Sequence, residues 1–142
     1  MTGEHPRGVL DTNILISRRW INPADLPDEM AITAVTLAEL SAGVHLVPLD
    51  DGAERARRLD ILQRAEADFD PLPFDAGAAR LYGQASAVLK DLGRTPRRRV
   101  ADLMIAATAA AHGLPLYTTN PVDFAGLSHL TPVISVLPPD IR

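Results

Sequence analysis

The chain has 142 residues, 46% of them hydrophobic, and a formal net charge of -4. That is material for one core and one domain over residues 1–142, which would bury roughly 70% of the surface of the unfolded chain. Without cysteine, disulfides, zinc ribbons and thiol nucleophiles are excluded, and the negative balance argues against gripping nucleic acid by bulk electrostatics, so any such contact must be local.

The opening residues Met1-Thr2-Gly3-Glu4-His5-Pro6-Arg7 lack the apolar stretch of a signal peptide, and no run approaches the roughly 20 apolar residues of a membrane span. A cytoplasmic protein with no membrane contact is expected. Gly8-Val9-Leu10 is then a short apolar run that ends abruptly in Asp11-Thr12-Asn13. It reads as a strand delivering Asp11 to its exit, the edge at which open parallel sheets bind ligands.

Ile14 to Trp20 reads as a short helix, closed by the loop from Asn22 to Asp28, and Met30 to Val35 as a second strand. Thr36-Leu37-Ala38-Glu39 opens a helix with Leu37, Leu40, Val44 and Val47 at helical spacing, ended by Pro48. A second helix runs from Asp51 to about Phe69, with Ala56, Leu59, Leu62 and Ala65 forming a stripe against Arg55, Arg57, Arg58, Asp60 and Arg64. Pro71-Leu72-Pro73-Phe74 is expected to be a short edge strand, weakened by its prolines.

Asp75 caps a helix through Leu92, ended by Gly93. An arginine-rich loop with Arg94, Arg97, Arg98 and Arg99 precedes a helix from Val100 to His112 that stops at Gly113. Leu114 to Thr118 and Pro132 to Val136 complete the set as strands. The alternation predicts an α/β fold, a mostly parallel sheet of four to five strands with helices on both faces. Crossover helices run antiparallel to their strands, so strand exits and helix N-termini share one edge. Asp11, Glu39, Asp102, Asn120 and Asp123 should all lie there.

Each of these residues also has a purely structural reading. Thr36-x-x-Glu39 is a capping box as written, Asn120-Pro121-Val122-Asp123 is an N-cap followed by proline and an acid, and Asp11 suits an Asx turn. Asp102 fits such an account least, because Val100 to Ala111 is apolar nearly all round and an ionised carboxylate there needs a cation; one of Arg97 to Arg99 could supply it. Three or four carboxylates held together raise one another's pKa and are tolerated mainly where a cation neutralises them. Oxygen ligands without histidine or cysteine favour magnesium or manganese over zinc, and His5, His45, His112 and His129 show no metal-ligand spacing.

Four blocks, Leu10-Asp11-Thr12-Asn13, Thr36-Leu37-Ala38-Glu39-Leu40, Val100 to Ala107 and Thr118-Thr119-Asn120-Pro121-Val122-Asp123-Phe124, resemble the signature blocks of PIN-domain nucleases, above all the VapC toxins of bacterial toxin-antitoxin pairs. The resemblance runs in the same order from about Val9 to the C-terminus. It implies a PIN-like three-layer sandwich and magnesium- or manganese-dependent endoribonuclease activity as the toxin of a type II pair. It implies the acids Asp11, Glu39, Asp102 and Asp123 as catalytic residues, with the metal on Asp11 and Asp102. In the fourth block Asn120 stands where many relatives carry an acid, so either Asn120 or Asp123 completes the site. Thr12, Asn13, Thr36, Thr118 and Asn120 are short polar side chains at the same edge, suited to hold the carboxylates by hydrogen bonds.

Arg97, Arg98 and Arg99 precede a helix N-terminus, where positive charge opposes the dipole, and are candidates for holding RNA phosphates near Asp102. As partners the resemblance implies an RNA substrate, a small VapB-like antitoxin and a homodimer. Ile14, Leu15, Ile16, Trp20 and the Asp51 to Phe69 helix are candidates for a docking surface, with core packing as the competing account. Two other classes stay open: a catalytically inactive PIN-like interaction domain, and an aspartate-based phosphotransfer module. The second lacks a further Asp two residues after Asp11 and has Lys90 as its only lysine.

Overall fold

Alternate residues of each central strand point to opposite faces, and both faces are apolar, so the sheet needs cover on two sides. The computed structural model, which describes residues 6–95 and 99–137, meets that need with helices in separate layers. Four parallel strands, β1 (Arg7–Leu10), β2 (Glu29–Ala31), β3 (Leu116–Thr118) and β4 (Val133–Ser135), lie in the order β2-β1-β3-β4. Val9 and Leu116 enter one core with Ala85 and Leu89 of α4 (Ala76–Asp91) and Leu103, Ile105 and Ala106 of α5 (Val100–Ala111). Their neighbours Leu10 and Tyr117 enter the other, with Ile14 of α1 (Thr12–Ser17), Leu40 of α2 (Ala34–His45) and Ala65 of α3 (Gly52–Asp68). The expected parallel α/β sandwich is therefore present, with four strands among the described residues.

Helix ends follow local chemistry. Asp51 and Asp75 accept hydrogen bonds from Glu54 N and Ala78 N at 3.1 and 2.9 Å as N-caps of α3 and α4. Gly93 and Gly113 take positive φ after α4 and α5, a conformation that costs a β-carbon-bearing residue steric strain. No described helix is long and apolar enough to cross a membrane.

Several boundaries differ from expectation. Pro71–Phe74 is not a strand: it meets the sheet through one bridge, Thr33 to Leu72, because its prolines lack the N–H groups a ladder needs. The second strand ends at Ala31, since α2 already starts at Ala34 with Thr33 as its cap, whose hydroxyl accepts from Thr36 N at 3.1 Å. Thr36 is thus inside the helix and the capping box centred on it does not form. The inner face of α3 is rotated from the predicted stripe: Ile61, Leu62 and Ala65 face the core while Ala56 and Leu59 are exposed. Ile14 and Leu15 are core residues and offer no docking surface; Ile16 and Trp20 are exposed.

Candidate active site

Asp11 leaves β1 one residue past the sheet and becomes the N-cap of α1, so its carboxylate is pinned twice. Oδ1 accepts from Thr12 N at 2.8 Å and Oδ2 from the Thr118 hydroxyl at 2.9 Å, with Thr118 at the exit of the neighbouring strand β3. The side chain is almost fully enclosed, at 4% exposure for the residue. Burial pushes its pKa up; the bonds from Thr118 and Thr12 oppose that rise, and Glu39 and Asp123 add to it.

Thr12 links α1 to α2. Its hydroxyl lies 2.9 Å from that of Thr36 and donates to Glu39 Oε1 at 2.5 Å. A hydroxyl has one proton to give, so Thr36 donates to Thr12 and the chain runs Thr36 to Thr12 to Glu39. Glu39 stands in the second turn of α2, and its carboxylate turns toward Thr12, where the capping box would have sent it back to the Thr36 backbone.

Asp102 occupies the first turn of α5, the helix that packs between α4 and the sheet. Burial, then Asp11, Asp123 and Glu39, raise its pKa to about 7, against a partial lowering by Arg99. The cation expected from the arginine loop is Arg99, but it serves Asp123 first: Nη1 lies 2.6 Å from Asp123 Oδ1 and 3.8 Å from Asp102 Oδ2. Asp123 Oδ2 accepts from Asn120 Nδ2 at 2.7 Å, so both its oxygens are engaged. Asn120 precedes the short 3-10 helix Pro121–Phe124 but makes no side-chain cap there.

Asp11, Thr12, Asn13, Glu39 and Asp102 line one cleft of about 300 Å³. Thr36 and Thr118 stand behind it as hydrogen-bonding supports. Asp123 is not among the lining residues, yet its charge reaches both Asp11 and Asp102. Among the described residues no three acids or histidines are gathered tightly enough to close on an ion as they stand, as expected of like charges facing one another. The donor set is all oxygen and runs from the enclosed Asp11 through the partly buried Asp102 to the exposed Glu39, which suits a hard divalent cation. Arg97 and Arg98 lie outside the described residues, and Arg99 is turned inward against Asp123. Lys90 is exposed near the end of α4 and is not part of the cleft, which removes the charge a phosphotransfer site would need.

The residues that sequence reasoning left on the solvent side are Arg57 and Arg58, which line the same cleft as the acids. The signal was there: Ile61, Leu62 and Ala65 share a face of α3, and Arg58 lies one turn before Ile61 on that same face.

A family model described as "PIN domain" matches residues 8–129. "Ribonuclease VapC5" of Mycobacterium tuberculosis is 44% identical over 123 residues, covering 84% of this chain and 87% of that protein. The "tRNA(fMet)-specific endonuclease VapC" of Shigella flexneri is 32% identical over 123 residues, covering 82% and 88%. Among solved structures, VapBC-5 of Mycobacterium tuberculosis, a member of the VapBC family of toxin-antitoxin systems, gives a TM-score of 0.79 at 40% identity, covering 92% of this chain and 99% of that one.

Proposed function

The chain belongs to the PIN-domain family, and on that premise we propose that it is a divalent-metal-dependent endoribonuclease, the single-domain toxin of a type II toxin-antitoxin pair. One observation carries the chemistry: Asp11, Glu39 and Asp102, from the N-terminal halves of three different helices and their caps, open on one cleft, with Asp102 held near pKa 7 by burial and by its acidic neighbours. Such a cluster is costly until a cation enters it.

Asp11 and Asp102 would hold the ion, magnesium or manganese, and Glu39, fixed by Thr12, would orient the water that attacks the phosphodiester. When bound, the ion acidifies the attacking water and stabilises charge building on the scissile phosphate. Thr118 and Thr12 N keep the Asp11 carboxylate aimed into the cleft. Asp123 contributes negative charge and, through Arg99, offsets part of the repulsion on Asp102. The pairing of the relatives with an antitoxin supports a small VapB-like partner here, and a homodimer is the proposed assembly.

Sequencing RNA 5′ ends after brief induction tests the proposal. New internal ends are expected with the wild-type chain and none with Asp11→Asn. The same ends in both, or cleavage by purified protein that survives EDTA, would overturn it.

A further inference from the structure

We infer that Arg57 and Arg58 of α3 form a phosphate clamp that grips the RNA strand in the cleft that also holds the carboxylates; this rests on the nuclease reading above. Both line the same cavity as Asp11, Glu39 and Asp102. A polyanion entering a pocket lined by three carboxylates meets repulsion that an ion on Asp11 and Asp102 relieves only at the scissile phosphate. The flanking phosphate needs its own cation. Among the described residues lining the cleft, Arg57 and Arg58 are the cationic side chains, and Arg99 is committed to Asp123.

The pair is held ready by Glu54. Arg57 donates Nε and Nη2 to its two oxygens at 2.9 and 2.7 Å, and Arg58 donates Nε at 2.6 Å. Arg58 Nη1 also donates to the Gly43 carbonyl of α2 at 2.9 Å, fixing the guanidinium against the cleft wall. The side chains stay 49% and 40% exposed. Two arginines and one glutamate leave one net positive charge, and their remaining N–H groups suit the planar recognition of a phosphate. An ordinary surface pair of this spacing contributes little to stability; stationed in the cleft, it sets where the strand lies.

The test is binding of a fluorescent single-stranded RNA oligonucleotide to the full chain, with Ca²⁺ replacing Mg²⁺, over a range of KCl. Arg57→Gln and Arg58→Gln should each weaken binding about four-fold near 0.15 M salt and lower the slope of log affinity against log salt by about 0.7, one single-strand phosphate contact. Glu54→Gln removes the competing carboxylate and should tighten binding by a similar factor. Mn²⁺ affinity without RNA, read by calorimetry, should not fall in any of the three, and Arg57→Gln, which among the described residues gives up only an exposed pairing with Glu54, should keep the wild-type melting temperature. Unchanged RNA affinity and slope in both arginine variants of a chain that cleaves RNA would overturn the clamp alone, as would weaker binding by Glu54→Gln. A wild-type chain that neither binds nor cleaves RNA would remove the nuclease reading and the clamp with it.

Discussion

Replacing Asp102 by asparagine should make the metal-free protein more stable. The Asp102 carboxyl has its pKa raised to about 7 in the fold from an ordinary 3.8, chiefly by burial and then by Asp11, Asp123 and Glu39. An acid whose pKa is higher folded than unfolded gives a stabilising contribution that is complete below the ordinary value and is lost as pH rises through the folded value. At pH 8 the ionised group in the fold therefore costs roughly 2–4 kcal/mol, the larger figure being the full shift and the smaller allowing for the 25% exposure of the side chain. Asparagine keeps the shape and loses the charge. In a thermal melt at pH 8 without metal, Asp102→Asn should melt roughly 5–10 °C above wild type, and the gap should shrink at pH 5, where the folded wild type is already protonated. Adding Mn²⁺ at about 100 times its Kd should raise wild-type stability by about 2.7 kcal/mol and leave the variant unmoved, with RNA cleavage abolished in the variant. A variant that melts below wild type at pH 8 without metal, or that responds equally to Mn²⁺, would refute this account of the acidic cleft.

Thr12→Val removes the hydroxyl that joins Thr36 to Glu39, leaving the buried Thr36 hydroxyl without its acceptor; urea denaturation should show a loss of about 1–3 kcal/mol, and an RNA cleavage assay a lower rate because Glu39 is no longer held to orient the water. Gly8→Ala places a β-carbon 2.5 Å from Tyr117 Cε1 and 2.7 Å from Cδ1, so the ring or β1 must shift. A cost of about 1–3 kcal/mol is expected, and an unchanged melting temperature would contradict that packing of β1 against β3.

Elements whose signal is local were legible. Val9 and Leu10, the all-round apolar α5, the cap Asp75 and the terminal Gly93 and Gly113 each encode their conformation within a few residues. Even the site was foreseeable as an edge, because parallel crossovers bring strand exits and helix starts together whatever the side chains are. What local signals could not separate were competing uses of the same group. Thr33 and Thr36 both suit a cap; the 71–74 segment beside Thr33 and the Thr12 hydroxyl from 24 residues upstream are where the two threonines divide, Thr33 capping and Thr36 bonding to Thr12.

By itself, then, the sequence determined the parallel α/β order and the meeting of Asp11, Glu39 and Asp102 at one edge, since periodicity and chain reversal depend on near neighbours. Only the tertiary structure decided that Arg99 answers Asp123 before Asp102, that Glu39 bonds to Thr12, and that Arg57 and Arg58 face the cleft. Hydrogen bonds and charges act over a few ångströms of space, and the residues that share that space here stand up to 107 positions apart in the chain, as Asp11 and Thr118 do.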